Sequence, residues 1–241
     1  MSELVSGSSR YSPVFAYQKQ LTMIDFRGHL SALFFTSGCN FRCGFCHNAE
    51  LMASKQNGFS WERLERLCIN FKDNWADAIT ITGGEPMLQK QLPELVEFFR
   101  NYSFAIKVDT NGSCPRMLQT ILPIVDYIAL DVKSSLGRYS ELTGYDKTST
   151  LQESIDLLKS AQVDYEFRTT IIESFHTESD IKGILKIING AKRYVLQPFV
   201  PQPHLPERCF RQTKRTSPET LKKYAQWAKS FAEQVIISGN E

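Results

Sequence analysis

No stretch of this 241-residue chain approaches the ~20 consecutive apolar residues that a bilayer-spanning helix needs. An excess of either charge is lacking as well. The 28 basic and 26 acidic residues leave a net charge of +2, too weak a field to recruit nucleic acid or an anionic membrane, so neither is expected as a partner. The amino terminus runs from Met1-Ser2-Glu3-Leu4 into polar Gly and Ser with no signal-peptide core, and the expected location is cytoplasmic. A disulfide framework is missing too: of six cysteines, three crowd into residues 39–46, while Cys68, Cys114 and Cys209 stand alone. A closed structural zinc site would need a fourth ligand from a second Cys or His pair, and none is present.

What the chain does hold is 42% hydrophobic residues, enough for one sizeable core at this length. Residues 1–16, Ser-rich at their start, read as a mobile N-terminal tail, which leaves 17–241 as a single domain. Beyond the tail, strand-length apolar runs alternate with helical periodicity. Strands are expected at Leu30–Thr36, Ala78–Thr82, Phe104–Asp109, Tyr127–Val132, Tyr165–Ile171 and Arg193–Gln197. Helices are expected from Ser60 and near 91–101, 115–122, 150–161, 178–189 and 217–233, with Val235–Ile237 as a further strand. Cys68 falls on the helical stripe of Leu64, Leu67 and Phe71 and reads as core. About six strand–helix units predict an α/β fold with a parallel sheet and right-handed crossovers, short of the eight units of a closed barrel.

The loop after the first of these strands carries Cys39, Cys43 and Cys46 at C-x3-C-x2-C spacing, which lets it curl so that three sulfurs face one object. Thiolates are soft ligands that favour iron–sulfur clusters, zinc or copper(I). Clusters are ordinarily held by four thiolates, so a cubane tied by three leaves one iron open for chemistry. Zinc remains the alternative on spacing alone. His47 could supply a fourth ligand, although Phe45 and Asn48 beside it suggest a loop wall.

In parallel folds the active groups gather at the carboxyl ends of the strands, and each expected strand here ends in polar residues. Gly83-Gly84-Glu85-Pro86 removes two Cβ atoms at a turn, so a ligand can approach the backbone, and Pro86 fixes the exit. Any strand–turn–helix junction could carry the same residues. Asp109 can accept from hydroxyls or an ammonium, while Asn111-Gly112 is equally an ordinary turn. Asp131 and Lys133 share one face of their strand and could pair with each other, or Lys133 could meet a ligand carboxylate. Arg168 lies mid-strand, facing either inward to a carboxylate or outward to solvent. His29, His176 and His204 have no partner at a recognisable spacing and read as surface or loop residues. Residues 198–218 hold five prolines together with Arg208, Arg211, Lys214 and Arg215. They read as a long irregular segment, either solvated or a docking surface for a large partner.

The stretches Gly-Cys-Asn-Phe-Arg-Cys-Gly-Phe-Cys-His-Asn at 38–48, Thr-Gly-Gly-Glu-Pro at 82–86, Val-Asp-Thr-Asn-Gly at 108–112 and Ala-Leu-Asp-Val-Lys at 129–133 form an ordered set. In that order they resemble the motifs of the radical S-adenosylmethionine superfamily. Within it they are similar to the activating proteins of anaerobic ribonucleoside-triphosphate reductase. The resemblance implies a partial, open (β/α)6 barrel of parallel strands, with a 4Fe-4S cluster on Cys39, Cys43 and Cys46 as the catalytic centre. It further implies S-adenosylmethionine bound by Phe45, His47, Gly83, Gly84, Glu85, Pro86, Asp109, Asn111, Asp131, Lys133 and Arg168, with the Gly-Gly-Glu-Pro turn at the methionine amino group. Reductive cleavage of that cofactor to a 5′-deoxyadenosyl radical would then activate a glycyl-radical enzyme, with a flavodoxin- or ferredoxin-type protein as electron donor. No run of further cysteines lies between Cys46 and Gly83, so one cluster is expected. Two other readings stand beside this one. The chain also resembles 7-carboxy-7-deazaguanine synthases in size and loop, which would call for a magnesium site and a closed small-substrate pocket. A zinc-stabilised binding module would have no catalysis at all.

Overall fold

The computed structural model describes residues 10–52 and 58–239. Strand β1 (Val14–Tyr17) runs antiparallel to β2 (Ser31–Thr36). From β2 onward each neighbouring pair is parallel, through β3 (Ala78–Gly83), β4 (Ala105–Thr110), β5 (Tyr127–Asp131), β6 (Asp164–Ile171), β7 (Ala191–Pro198) and β8 (Ala232–Ile237). The order across the sheet is the order along the chain, and among the described residues no pairing joins β8 back to β1. The result is an open, partial barrel.

The connections carry α1 (Ala49–Met52), α2 (Trp61–Asp73), α3 (Leu92–Asn101), α4 (Pro115–Ile121), α5 (Tyr139–Thr143), α6 (Thr148–Ser160), α7 (Glu178–Ile187), α8 (Arg208–Gln212) and α9 (Pro218–Ala228). Each longer helix turns one apolar stripe inward. In α2 that stripe is Leu64, Cys68 and Phe71, and Ser60 caps the helix by accepting from the Arg63 N–H. In α3 it is Leu92, Leu95, Val96 and Phe99. Strand β6 shows how the barrel interior stays polar. Tyr165, Phe167, Thr169 and Ile171 are buried, while the alternate residues Glu166, Arg168 and Thr170 are only partly covered, so the two sets face opposite sides of the sheet.

The six expected strand–helix units are present, and four features differ from expectation. Val14 lies inside the expected tail but is fully buried, because the chain there pairs with residue 59: Ser12 N–H donates to Phe59 O at 2.8 Å and Phe59 N–H to Val14 O at 2.7 Å. The domain therefore starts before residue 17. Most of the tail, residues 1–9, lies outside the described residues. His176 lies in a loop as expected, yet it is buried: its Nδ1 accepts from Ile172 N–H and its Nε2 donates to Lys133 O, both at 2.9 Å. Residues 198–218 are irregular apart from α8, but they are anchored, with Phe199 N–H donating to Thr216 Oγ1 at 2.8 Å and that hydroxyl donating to Ile171 O.

The lower end of the barrel, away from the cysteine loop, is stopped by Phe26. Its ring packs with Ala78, Tyr127 and Ala129, 5.6 Å from the Tyr127 ring and 4.3 Å from that of His29. His29 is not unpartnered either, since its Nδ1 lies 2.8 Å from Asp77 Oδ2.

Candidate active site

The loop after β2 is pinned to the ends of several other elements. Glu85 N–H donates to Gly38 O at 2.8 Å, Gly38 N–H to Leu51 O at 2.7 Å, and Arg42 N–H to Thr143 O at 2.6 Å. So held, Cys39, Cys43 and Cys46 open onto a cavity of about 480 Å³. The same wall carries Phe45, His47, Gly83, Gly84, Glu85, Asp109, Asn111, Asp131, Lys133 and Arg168. Of the residues expected to hold the cluster or S-adenosylmethionine, Pro86 alone is off the wall; it is buried and opens a short 3-10 helix over 86–88.

The cavity's polar wall is built by residues that tie adjacent strand ends together. Glu85 is buried, and its carboxylate accepts from Thr110 Oγ1–H at 2.7 Å, Asn111 N–H at 2.6 Å and Met87 N–H at 3.0 Å, which locks the end of β3 to the end of β4. Burial pushes its carboxyl up to about 7 against those three donors. Asn111 carries the connection on to the cysteine loop, donating from Nδ2 to Asn40 Oδ1 at 3.0 Å and approaching Cys39 Sγ at 3.8 Å. Asn40 in turn donates to Ser113 Oγ at 2.9 Å. Sequence reasoning passed over Asn40, although its place between the first two cysteines was the available signal.

Below this, a ladder of alternating charges descends the barrel interior. Lys133 Nζ lies 3.1 Å from Asp131 Oδ2, Arg168 Nε 2.8 Å from Asp131 Oδ1, and Arg168 Nη1 3.3 Å from Asp109 Oδ1. Lys107, buried and also overlooked in the sequence, continues it to Asp109 at 3.5 Å and Glu166 at 3.7 Å. Arg168 thus faces inward, as a carboxylate-seeking arginine should, but the carboxylates it meets belong to the protein. Burial alone would raise the Asp131 carboxyl, yet Arg168 and Lys133 beside it hold it at about 2. Burial opposes the charge on Lys133 and Arg168, and the neighbouring carboxylates, Asp131 and Asp109 foremost, raise both nevertheless.

The donor chemistry of the loop suits a cluster held by three thiolates. Burial raises the thiols of Cys39 and Cys46 and pushes Cys43 up to about 12, so a bound metal would have to displace their protons. Phe41 N–H donates to Cys39 Sγ at 3.4 Å, and backbone donors of this kind stabilise a metal-bound thiolate. Among the described residues no three or more His, Cys, Asp or Glu converge on a single ion, whereas a polynuclear cluster spreads its thiolates over separate irons. His47 turns its Nε2 to Val200 O at 3.0 Å, which engages the ring that could have been a fourth ligand.

The model of the Radical SAM superfamily matches residues 33–188. The chain is 31% identical over 225 residues to a Methanocaldococcus jannaschii protein provisionally named a glycyl-radical enzyme activating enzyme, covering 90% of this chain and 92% of that one. It is 24% identical over 187 residues to the 7-carboxy-7-deazaguanine synthase of Thermococcus kodakarensis, covering 68% and 72% respectively. Streptococcus suis SuiB, solved with bound S-adenosylmethionine, superposes with a TM-score of 0.66 at 13% identity over 84% of this chain, which spans about half (48%) of that one. A domain of pyruvate-formate lyase-activating enzyme from Bacteroides vulgatus superposes with a TM-score of 0.53 at 16% identity, over 68% of this chain and 100% of that one. At these identities the structural likeness is one of fold.

Proposed function

The chain belongs to the Radical SAM superfamily, and we propose that within it this protein activates a glycyl-radical enzyme, with anaerobic ribonucleoside-triphosphate reductase as its partner. The observation that carries the reading is the sharing of one cavity wall by the three thiols and the polar ends of β3 to β6. The M. jannaschii relative, similar over nearly the whole chain, supports the activator branch.

Cys39, Cys43 and Cys46 would hold a 4Fe-4S cluster, and the polar strand ends on the same wall would bind S-adenosylmethionine. When bound, this pair supplies reductive cleavage of the sulfonium and a 5′-deoxyadenosyl radical that takes a hydrogen atom from the partner's glycine. The chain's own residues bind and orient. Gly83 and Gly84 present backbone without side chains at the turn, and Glu85 fixes that turn to Asn111. Lys133 lies on the wall between Asp131 and Phe45, which supports it as the cation that would meet the cofactor carboxylate. Arg168, engaged by Asp131 and Asp109, acts instead by holding those carboxylates in place.

Anaerobic reconstitution is expected to load about four irons and four sulfides per chain, and alanine at Cys39, Cys43 or Cys46 to abolish loading while Cys68→Ala and Cys209→Ala retain it. With reductant, S-adenosylmethionine and an anaerobic ribonucleotide reductase, a glycyl-radical doublet is expected by electron spin resonance. The T. kodakarensis relative supports a second reading, a small-molecule enzyme. Consumption of the deazaguanine precursor with no doublet from any glycyl-radical enzyme would decide for it.

A further inference from the structure

The segment that leaves β7 folds back over the outer side of the cysteine loop. Glu207 N–H donates to Gly44 O at 3.0 Å, Val200 O meets His47 Nε2 at 3.0 Å, and the Phe210 ring stands edge-on to Phe45 at 5.8 Å. The Glu207 side chain lies so close over Gly44 that a Cβ there would fall 2.3 Å from its Cδ. The loop therefore has two sides: an inner one that opens on the cavity, and an outer one backed by residues 199–216.

That backing carries a concentrated charge. Residues 207–215 hold Arg208, Arg211, Lys214 and Arg215 against the single acid Glu207, a net +3 in a chain whose total is +2. All four cations are exposed. Arg211 is held in place by donating to Leu205 O at 2.6 Å and Pro206 O at 3.0 Å. Arg208, Lys214 and Arg215 make no hydrogen bond or ion pair among the described residues, so their field is unspent. Like charges crowded without partners repel one another, and such a patch does its work by steering an oppositely charged body.

On the reading given above, each turnover takes one electron from outside the protein. The cavity mouth must stay clear for the glycine-bearing loop, so the electron is best delivered through the loop's outer side. We propose that Arg208, Lys214 and Arg215 form the docking face for a small acidic one-electron carrier protein, whose electron passes across Gly44 to Cys46 to the site of the three thiolates. The carrier is oxidised by one electron and that site is reduced by one, with no bond made or broken. Transient electron-transfer contacts are small, so a short charged segment beside the loop is of the right scale to form one.

The test is calorimetric titration of the iron-loaded protein with a strongly acidic flavodoxin, set beside the variant Arg208→Glu/Lys214→Glu/Arg215→Glu. The expected result is binding weakened by about tenfold or more at low ionic strength, with the difference collapsing at high salt. Flavodoxin-driven bleaching of the cluster absorbance should slow in parallel, while bleaching by dithionite, which needs no docking, stays the same. Equal dithionite bleaching also shows that the variant is folded and loaded, and the neutral triple Gln variant should fall between the two. Unchanged flavodoxin affinity in the variant overturns the proposal, as does a loss of affinity confined to the glycyl-radical enzyme. If dithionite with S-adenosylmethionine yields no cofactor cleavage in the unaltered protein, the activator reading fails; salt-dependent flavodoxin binding through these three residues would still support the docking face.

Discussion

The carboxylate of Asp131 lies between two cations, 2.8 Å from Arg168 Nε and 3.1 Å from Lys133 Nζ, and only its position on the cavity wall keeps it from full burial. Removing Arg168 would take one of two cations from each of Asp131 and Asp109, which keep Lys133 and Lys107 respectively. Arg168→Met is therefore expected to cost about 1.5–3 kcal/mol in urea unfolding at neutral pH, the scale of a lost charged hydrogen bond. The pH dependence has a definite sign. Asp131 is depressed from its ordinary 3.8 to about 2 in the folded protein, so its contribution is present above 3.8 and is lost as pH falls through 2. That contribution is roughly 2 kcal/mol. In the variant the acid-unfolding midpoint should move to higher pH. An unmoved midpoint would show that the ladder's other members carry the balance.

At the scale of elements, the carboxyl ends of β2 and β3 approach each other more closely than side chains allow. Gly83 has φ +112°, and a Cβ on Gly84 would fall 2.1 Å from Gly38 O, a backbone atom that cannot swing aside. The two glycines thus let the cysteine loop lie directly on the end of β3, where Glu85 N–H meets Gly38 O. Gly84→Ala should force this contact apart and cost about 1–3 kcal/mol. Iron loading is expected to fall with it, since the loop that presents Cys39 loses its support. Gly44→Ala provides the contrast. Its added Cβ meets the Glu207 side chain, which can move, so iron loading should be retained while the 199–216 segment becomes more open to proteolysis.

Over the whole molecule, the open barrel has two differently finished ends, the cysteine loop at one and Phe26 at the other. Phe26 closes the floor beneath Lys107, whose Nζ donates to Asp25 O in the same loop. Phe26→Ala should cost about 3–5 kcal/mol through the cavity it leaves. It should also speed amide exchange in β4, measured by hydrogen–deuterium exchange, without changing iron loading at the far end. Equal exchange in both proteins would mean that the floor is sealed by other residues.

The sequence by itself determined the positions of the strands along the chain, the thiol spacing and the polar strand ends, because periodicity and ligand spacing are local properties that survive without knowledge of packing. It also placed Cys68 on the buried stripe of α2, where it lies fully covered. Tertiary structure alone decided who pairs with whom. Arg168 and Asp109 are 59 residues apart and meet only because β4 and β6 flank β5. Short β1 gains its place by pairing with β2 and with residue 59, and nothing in its four residues announces this. Residues 198–218 read as an irregular segment, solvated or a docking surface, yet they back the cysteine loop through contacts to Gly44, Phe45 and His47. Such long-range contacts are fixed by the closure of the fold, and a string of residues read one window at a time carries no trace of them.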